Sequence, residues 1–385
     1  MAEDSMVQGE TPVADDTSRA NDGDAQIGND SGDGSFNDAP EVVADPVLQT
    51  VALGAQWPTI DPFLFCAHHN DAYPASDGKL GPDASLEGRD IGQDFAGVDG
   101  WNMYHGSQVP GFPVHPHRGF ETVTYVRKGI IDHADSLGAT ARFGRGDVQW
   151  LTAGGGIQHS EMFPLLKADE PNPLELFQIW LNLPAADKHV DAYFTMLWDE
   201  KVPRLRVGRD GGPEVVVTVI AGHLDGADEP LDPPPSSWAS RPESDLAIWH
   251  MHFEPGSSWD LPAAVGPDTV RTLYVFDGEA ITVRGHDEML ASGTGSVVVA
   301  DRSLTLSSDA GADVLMLQGA PIGEPVAKYG PFVMNHEDEI RQAFEDYQAT
   351  QFGGWHWDSS DPDHGPDRGR FALHSDGRVE EPPPV

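Results

Sequence analysis

The chain has 385 residues, a formal net charge of −40, and 42 glycines, 32 prolines and one cysteine. That length allows two domains with separate cores. No apolar run reaches the ~18 residues of a membrane-spanning helix, a lone Cys66 cannot close an internal disulfide, and so acidic a balance disfavours contact with a nucleic-acid backbone, which requires a basic footprint.

Residues 1–45 hold twelve acidic side chains and one arginine, a balance of −11, so −29 belongs to the remainder. With six lysines against seventeen arginines, the surface suits concentrated salt, which screens self-repulsion. The N-terminal MAEDSMVQGE lacks the basic start and apolar core of a secretory signal. A reduced, salt-adapted cytoplasm is the expected setting.

Residues 1–45, rich in Asp, Gly, Asn and Ser, are expected to be disordered. Apolar residues return at VLQTVALG and TIDPFLFCAHH, and Asp71 to Gly100 reads as a long surface excursion. ETVTYV, GIIDHAD, ATARFGRGDVQWLTAG and LELFQIWLNLP follow as strand-length runs punctuated by glycine. After Pro184 a connector, ADKHVDAYFTMLWDEKVPRLRV, leads to EVVVTVIAG, LAIWHMHFEPGSSWDLP, TVRTLYVFDGEAITVRG, GSVVVAD and ADVLMLQGAPIG. The fold class is therefore all-β. Tyr125-Val126 before Gly129 and Tyr274-Val275 before Gly278 mark a weak internal duplication. VMNHEDEIRQAFEDYQ predicts one short C-terminal helix, capped by Asn335 with Asp338 and striped by Ile340, Phe344 and Tyr347. The expected units are an acidic tail (1–45), an N-terminal metal-binding unit (46–184), a C-terminal unit (185–330), the helix (331–352) and a flexible tail (353–385).

Val109 to Glu161 carries the chemistry. His115 and His117 are two residues apart, as are His159 and Glu161, so on strands each pair points to one face. Two such strands facing each other would bring three imidazoles and a carboxylate together, a ligand set for a divalent transition metal. Glu121 has the same parity as His115 and His117, and is the rival carboxylate. A pairing of Glu121 with Arg118 is the structural alternative.

The spacing Gly111-x3-His115-x-His117-x3-Glu121-x7-Gly129, then Gly146 … Gly156-x2-His159, resembles the two cupin motifs, with slight departures at both glycines. HPHRGFETVTYV with GDVQWLTAGGGIQHSEMFP, together with IDPFLF and GPFVMNHEDEIRQAFEDY, is similar to the pirin family over about residues 55–350. The resemblance implies a bicupin of two antiparallel β-sandwich barrels of jelly-roll type, the first holding metal and the second without ligands. It places the ligands at His115, His117, His159 and Glu161. Iron, Fe(II), is the expected metal, with copper, nickel, cobalt or manganese as alternatives. Glu121 then becomes an outer residue orienting a ligand.

The implied activity is that of a quercetin 2,3-dioxygenase on a flavonol or related enediol or aromatic small molecule. Ring cleavage by dioxygen releases carbon monoxide, and Glu161 or Glu121 is the proton acceptor. The second function the resemblance implies is a non-catalytic redox-sensing cofactor that binds a regulatory protein partner. This chain's few cations argue against the basic contact surface some pirins use. An inert bicupin that keeps its metal for stability is a third.

His250 and His252 also lie two apart, but no glutamate or later partner follows at cupin spacing, so they are read as structural or solvent-facing. Cys66 is read as packing, and His68 and His69 as polar surface. Gly154 to Gly156 lack the Lys-Ser/Thr of a phosphate loop and are expected to let backbone pass close behind the metal site. Trp150, Phe163, Phe177 and Trp180 are read as core.

Overall fold

β-branched and aromatic runs separated by glycine turns form antiparallel strands along the whole described chain. The structure is a computed structural model and describes residues 44–208 and 211–384. Residues 1–43 of the expected acidic tail lie outside the described residues.

The strands of the first half are β1 (Val47–Ala52), β2 (Phe63–Tyr73), β3 (Gly111–His117), β4 (Phe120–Lys128), β5 (Ile130–Asp135), β6 (Thr140–Gly144), β7 (Val148–Thr152), β8 (Ile157–Met162), β9 (Asn172–Asn182) and β10 (Tyr193–Leu197). The second half contributes β11 (Arg204–Gly208), β12 (Glu214–Ala221), β13 (Ala247–Phe253), β14 (Ser257–Leu261), β15 (Val270–Gly278), β16 (Ala280–Val283), β17 (Leu290–Ala291), β18 (Thr294–Val298), β19 (Leu304–Ser308) and β20 (Ala312–Gly319). A hairpin of β21 (Ala327–Tyr329) and β22 (Phe332–Met334) precedes helix α1 (Glu337–Thr350), and β23 (Phe371–Leu373) and β24 (Val379–Glu380) end the chain.

Each half is two facing antiparallel sheets, the expected β-sandwich, with its edges open and not closed into a barrel. The first half pairs a sheet of order β10-β7-β4-β9-β2 with one of order β24-β23-β6-β5-β8-β3. The second pairs β1-β18-β15-β20-β13-β12-β11 with β14-β19-β16-β17. Val123, Tyr125, Trp150, Phe177 and Ile179 pack in one core with Ile248, Tyr274, Leu315 and Leu317 of the second half. The sheet containing β4 and β9 is therefore covered on both faces. That is why LELFQIWLNLP reads as an apolar run with little alternation. Tyr125 and Tyr274, the two tyrosines of the expected duplication, meet in this core, and the glycines after them have φ of 84° and 81°.

Three sequence expectations are corrected. First, the units exchange strands. β1, expected in the N-terminal unit, pairs with β18, and β10, expected in the connector, pairs with β7. Second, α1 is capped one residue later than expected. Glu339 Oε2 accepts from the backbone N–H groups of Asn335 and His336, while the Asn335 side chain donates to Glu324 and Pro325 and is not free to cap. Ile340 and Ala343 are buried against Phe332, Met334 and Phe352, with Phe344 and Tyr347 beside them.

Third, the stretch after Gly353 is not loose. β23 pairs with β6, and the buried Arg142 guanidinium donates to both oxygens of Asp132 at 2.6 and 2.7 Å and to the carbonyls of Gly365 and Arg368 at 2.7 and 2.8 Å. The tail has little apolar surface of its own and is ordered through these partners. Arg142→Ala strands Asp132 without its counter-charge, which costs about 3–5 kcal/mol for a buried pair. Urea unfolding will show that loss, and limited proteolysis will show earlier cutting beyond Gly353.

Candidate metal centre

β3 and β8 are neighbouring antiparallel strands with His115 directly opposite His159. Side chains two apart share a face, so His117 follows His115 into the space between the two sheets and Glu161 follows His159. The ring centroids of His115, His117 and His159 lie 4.4, 4.8 and 4.9 Å apart. One nitrogen from each ring lies within 4.8 Å of the others, a spacing that can share one ion. Glu161 Oε2 is 3.9 Å from His159 Nε2, and its carboxylate accepts from Thr124 Oγ1 at 3.2 Å and Gln178 Nε2 at 3.1 Å.

The histidines are under-partnered for their depth. His117 and His159 are buried, and His117 Nδ1 and both ring nitrogens of His159 have no hydrogen-bond partner. His115 Nδ1 donates to the Pro113 carbonyl at 2.9 Å, which leaves Nε2 as a lone pair. Burial holds all three imidazoles below the ordinary histidine range, to about 4 for His115 and well down for the other two, with neighbouring histidines adding to it. They are neutral at pH 7, the state in which imidazole coordinates a metal. Burial pushes the Glu161 carboxyl up, opposed by His133, Thr124 and Gln178.

Glu121 is elsewhere. The chain turns at Gly119 (φ 83°) into the other sheet, so the parity counted from His117 does not carry over. Its carboxyl accepts from Thr152 Oγ1 at 2.6 Å and from Ser237 of the proline-rich loop. It lies on the face of β4 that Val123 and Tyr125 turn toward the second half. Neither a metal-side role nor a pairing with Arg118 fits, because Arg118 binds Asp346 at 2.7 Å and the Gly155 carbonyl at 2.7 Å. Burial raises the Glu121 carboxyl to about 7.

His115, His117 and Glu161 line a cavity of about 570 Å³. Its walls include Phe65, Phe95, Phe112, Phe163 and Trp180, with His69, Asn102, Tyr104 and Gln178 as polar lining. Trp150, Phe163 and Phe177 are core as expected, Phe163 lining the cavity as well, whereas Trp180 is cavity wall. His68 and His69, read as polar surface, are half-buried and line the cavity. His68 stacks on Phe177 at 4.6 Å and contacts Glu175, and His69 bonds Tyr104. Cys66 is buried and free. His250 and His252 both bond Asp313, a structural arrangement.

Sequence reasoning missed His133, whose ring is 5.5 Å from His159, and the wall supplied by Phe95 and Tyr104. The available signal for the wall was a lone Arg89 in an acidic stretch. It is buried, pairs with Asp94 at 2.9 Å, stacks 3.3 Å from the Trp101 ring centre, and pins the excursion down. Behind the centre, a Cβ on Gly154 would sit 2.1 Å from the Val190 carbonyl and one on Gly156 would sit 2.6 Å from the Phe352 ring, so close approach does require the glycines.

Residues 47–181 match the Pirin family and residues 248–353 match the Pirin C-terminal cupin domain. The chain belongs to the pirin family. A Pseudomonas aeruginosa protein with the provisional name quercetin 2,3-dioxygenase is 40% identical over 243 residues, 62% of this chain and 79% of that one. A pirin-like protein of Solanum lycopersicum is 36% identical over 258 residues, 64% of this chain and 78% of its own length. The crystal structure of a quercetin 2,3-dioxygenase from Acinetobacter baumannii is similar in fold, with TM-score 0.62 and 23% identity over 81% of this chain and 99% of that one. No described helix is long and apolar enough to cross a membrane.

The histidine cluster and Glu121 make opposite predictions. Replacing both His115 and His159 by alanine removes bound metal in elemental analysis, whereas Glu121→Gln retains it. A carboxyl raised from 4.5 to about 7 by folding binds more protons folded than unfolded, so it loses stability for the fold as pH rises across that window. The advantage of Glu121→Gln in thermal melting therefore grows from pH 4.5 to 7 and levels off above it.

Proposed function

We propose that this pirin is a metal-dependent dioxygenase of the quercetin 2,3-dioxygenase type, acting on a flavonol or a related enediol or aromatic substrate. The observation that carries this reading is His159, fully buried with neither ring nitrogen partnered and clustered with His115 and His117, which line an aromatic-walled cavity. Buried imidazoles without partners cost stability unless something coordinates them, and the donor set suits a divalent transition ion. We assign His115, His117, His159 and Glu161 to that ion and iron(II) as its identity. The name carried by the Pseudomonas relative supports the substrate class.

A bound ion would supply Lewis acidity and one-electron chemistry toward dioxygen. The protein's own part is positioning and proton transfer. Phe112 and Trp180 flank the entry to the histidines, with ring centroids 6.3 Å from His115 and 5.5 Å from His117. They offer flat apolar faces to a planar substrate and exclude water. Glu161, held by Thr124 and Gln178, is the base that takes the proton of the substrate's enolic hydroxyl. Its burial favours the protonated form once that proton is accepted. The overall change consumes one dioxygen per flavonol and releases one carbon monoxide with the cleaved ester.

Iron-loaded protein is expected to take up oxygen with a flavonol and release carbon monoxide in equal amount. Glu161→Gln should lower kcat by roughly 10²–10⁴, the usual contribution of a positioned base. Absence of oxygen uptake with flavonols and with simpler enediols overturns the reading.

A further inference from the structure

The cavity holds a second set of polar side chains that the chemistry at the histidine cluster does not use. Asp71 on β2 is buried and accepts three hydrogen bonds: from Asn102 N at 2.9 Å and Asn102 Nδ2 at 3.0 Å on one oxygen, and from Tyr104 Oη at 2.6 Å on the other. Tyr104 has one hydroxyl proton, and it is committed to Asp71. The 2.8 Å contact between Tyr104 Oη and His69 Nδ1 therefore takes its proton from the imidazole. This fixes His69 as the Nδ1–H tautomer with a lone pair on Nε2. No group among the described residues bonds Nε2, and the side chain lines the cavity. Burial, then His68, hold the His69 imidazole down to about 4, so it is neutral at pH 7 and Nε2 remains an acceptor.

His69 and the histidine cluster face one space. Phe112 touches both, its ring 5.9 Å from that of His69 and 6.3 Å from that of His115, so no more than about 12 Å separates the two imidazoles. A three-ring planar molecule chelated at the cluster can place an outer ring at His69.

We propose that His69 Nε2, oriented through Tyr104 and Asp71, is a recognition site for a phenolic hydroxyl, and that the substrate carries such a hydroxyl on a ring remote from its chelating group. This rests on the dioxygenase-type reading of the site and adds which flavonol-like molecules it selects. An acceptor that the ligand covers without offering it a donor is left unpaired, so the pocket discriminates against unhydroxylated rings. Asn102, Tyr104 and His69 come from two segments far apart in the sequence, which is why no motif announces the site.

The test is equilibrium binding of 3-hydroxyflavone and of its 7-hydroxy and 3′,4′-dihydroxy derivatives to zinc-loaded protein under argon, where no turnover occurs. At least one hydroxylated derivative is expected to bind roughly 5–10-fold more tightly than the parent, the worth of one good hydrogen bond. His69→Phe should bring that ratio to about one, while His69→Gln, whose amide oxygen still accepts, should keep part of it. Tyr104→Phe should lower it by freeing the tautomer. Nitrogen-15 shifts of His69 in the unaltered protein should report Nδ1–H. Equal binding of all three compounds, a ratio that survives His69→Phe, or an Nε2–H tautomer overturns the recognition site and leaves the dioxygenase reading standing. Failure of every flavonol to bind overturns both.

Discussion

Three neutral imidazoles are held inside a protein half with almost nothing to bond them, and much of the first half is arranged around that burden. A buried polar atom without a partner costs about 1–3 kcal/mol, and His117 and His159 present three such atoms between them. A coordinated ion offsets the cost directly, since its binding free energy adds to that of folding. The register of β3 on β8 makes the convergence compulsory. With His115 opposite His159, any one-residue slip would turn the histidines to the other face.

The support for this register comes from outside the two strands. Arg118, at the end of β3, reaches Asp346 on α1, and Tyr347 on the same helix donates to Gln158, next to His159. On the opposite side, the sheet carrying Thr124 and Gln178 clamps Glu161 with one face and packs on the second half with the other. Arg127 ties the halves at the edge of this contact, paired with Glu175 on β9 and Asp313 on β20. The second half, which carries no comparable cluster among its described residues, thus acts as a wall that holds the clamping sheet flat. The exchange of β1 and β10 between the expected units makes that wall part of the same cooperative structure.

How much of this was legible in the sequence follows from what each signal measures. The clustering of His115, His117 and His159 could be found because a strand has a period of two and the motif lies within β3 and β8. The same count misplaced Glu121, since it was carried across the turn at Gly119 into a different sheet, where parity has no shared origin. The tail after Gly353 was read as loose because its composition reports the lack of a core of its own. It cannot report that Arg142 and the edge of β6 wait to bond it. The wall of the cavity was hidden for a related reason. Phe95 sits in, and Tyr104 just beyond, a glycine- and aspartate-rich excursion pinned by Arg89, one side chain buried against Trp101 and Asp94.

The central claim is that one ion is held by the imidazoles of His115, His117 and His159 and faces the cavity. Anomalous X-ray scattering from a crystal of the iron-loaded protein tests it most directly. The account predicts one strong peak bonded to those three rings, beside Glu161, with coordination sites open toward Phe112 and Trp180. A peak at another cluster such as His250 and His252, or an ion enclosed by protein ligands on every side, would contradict it.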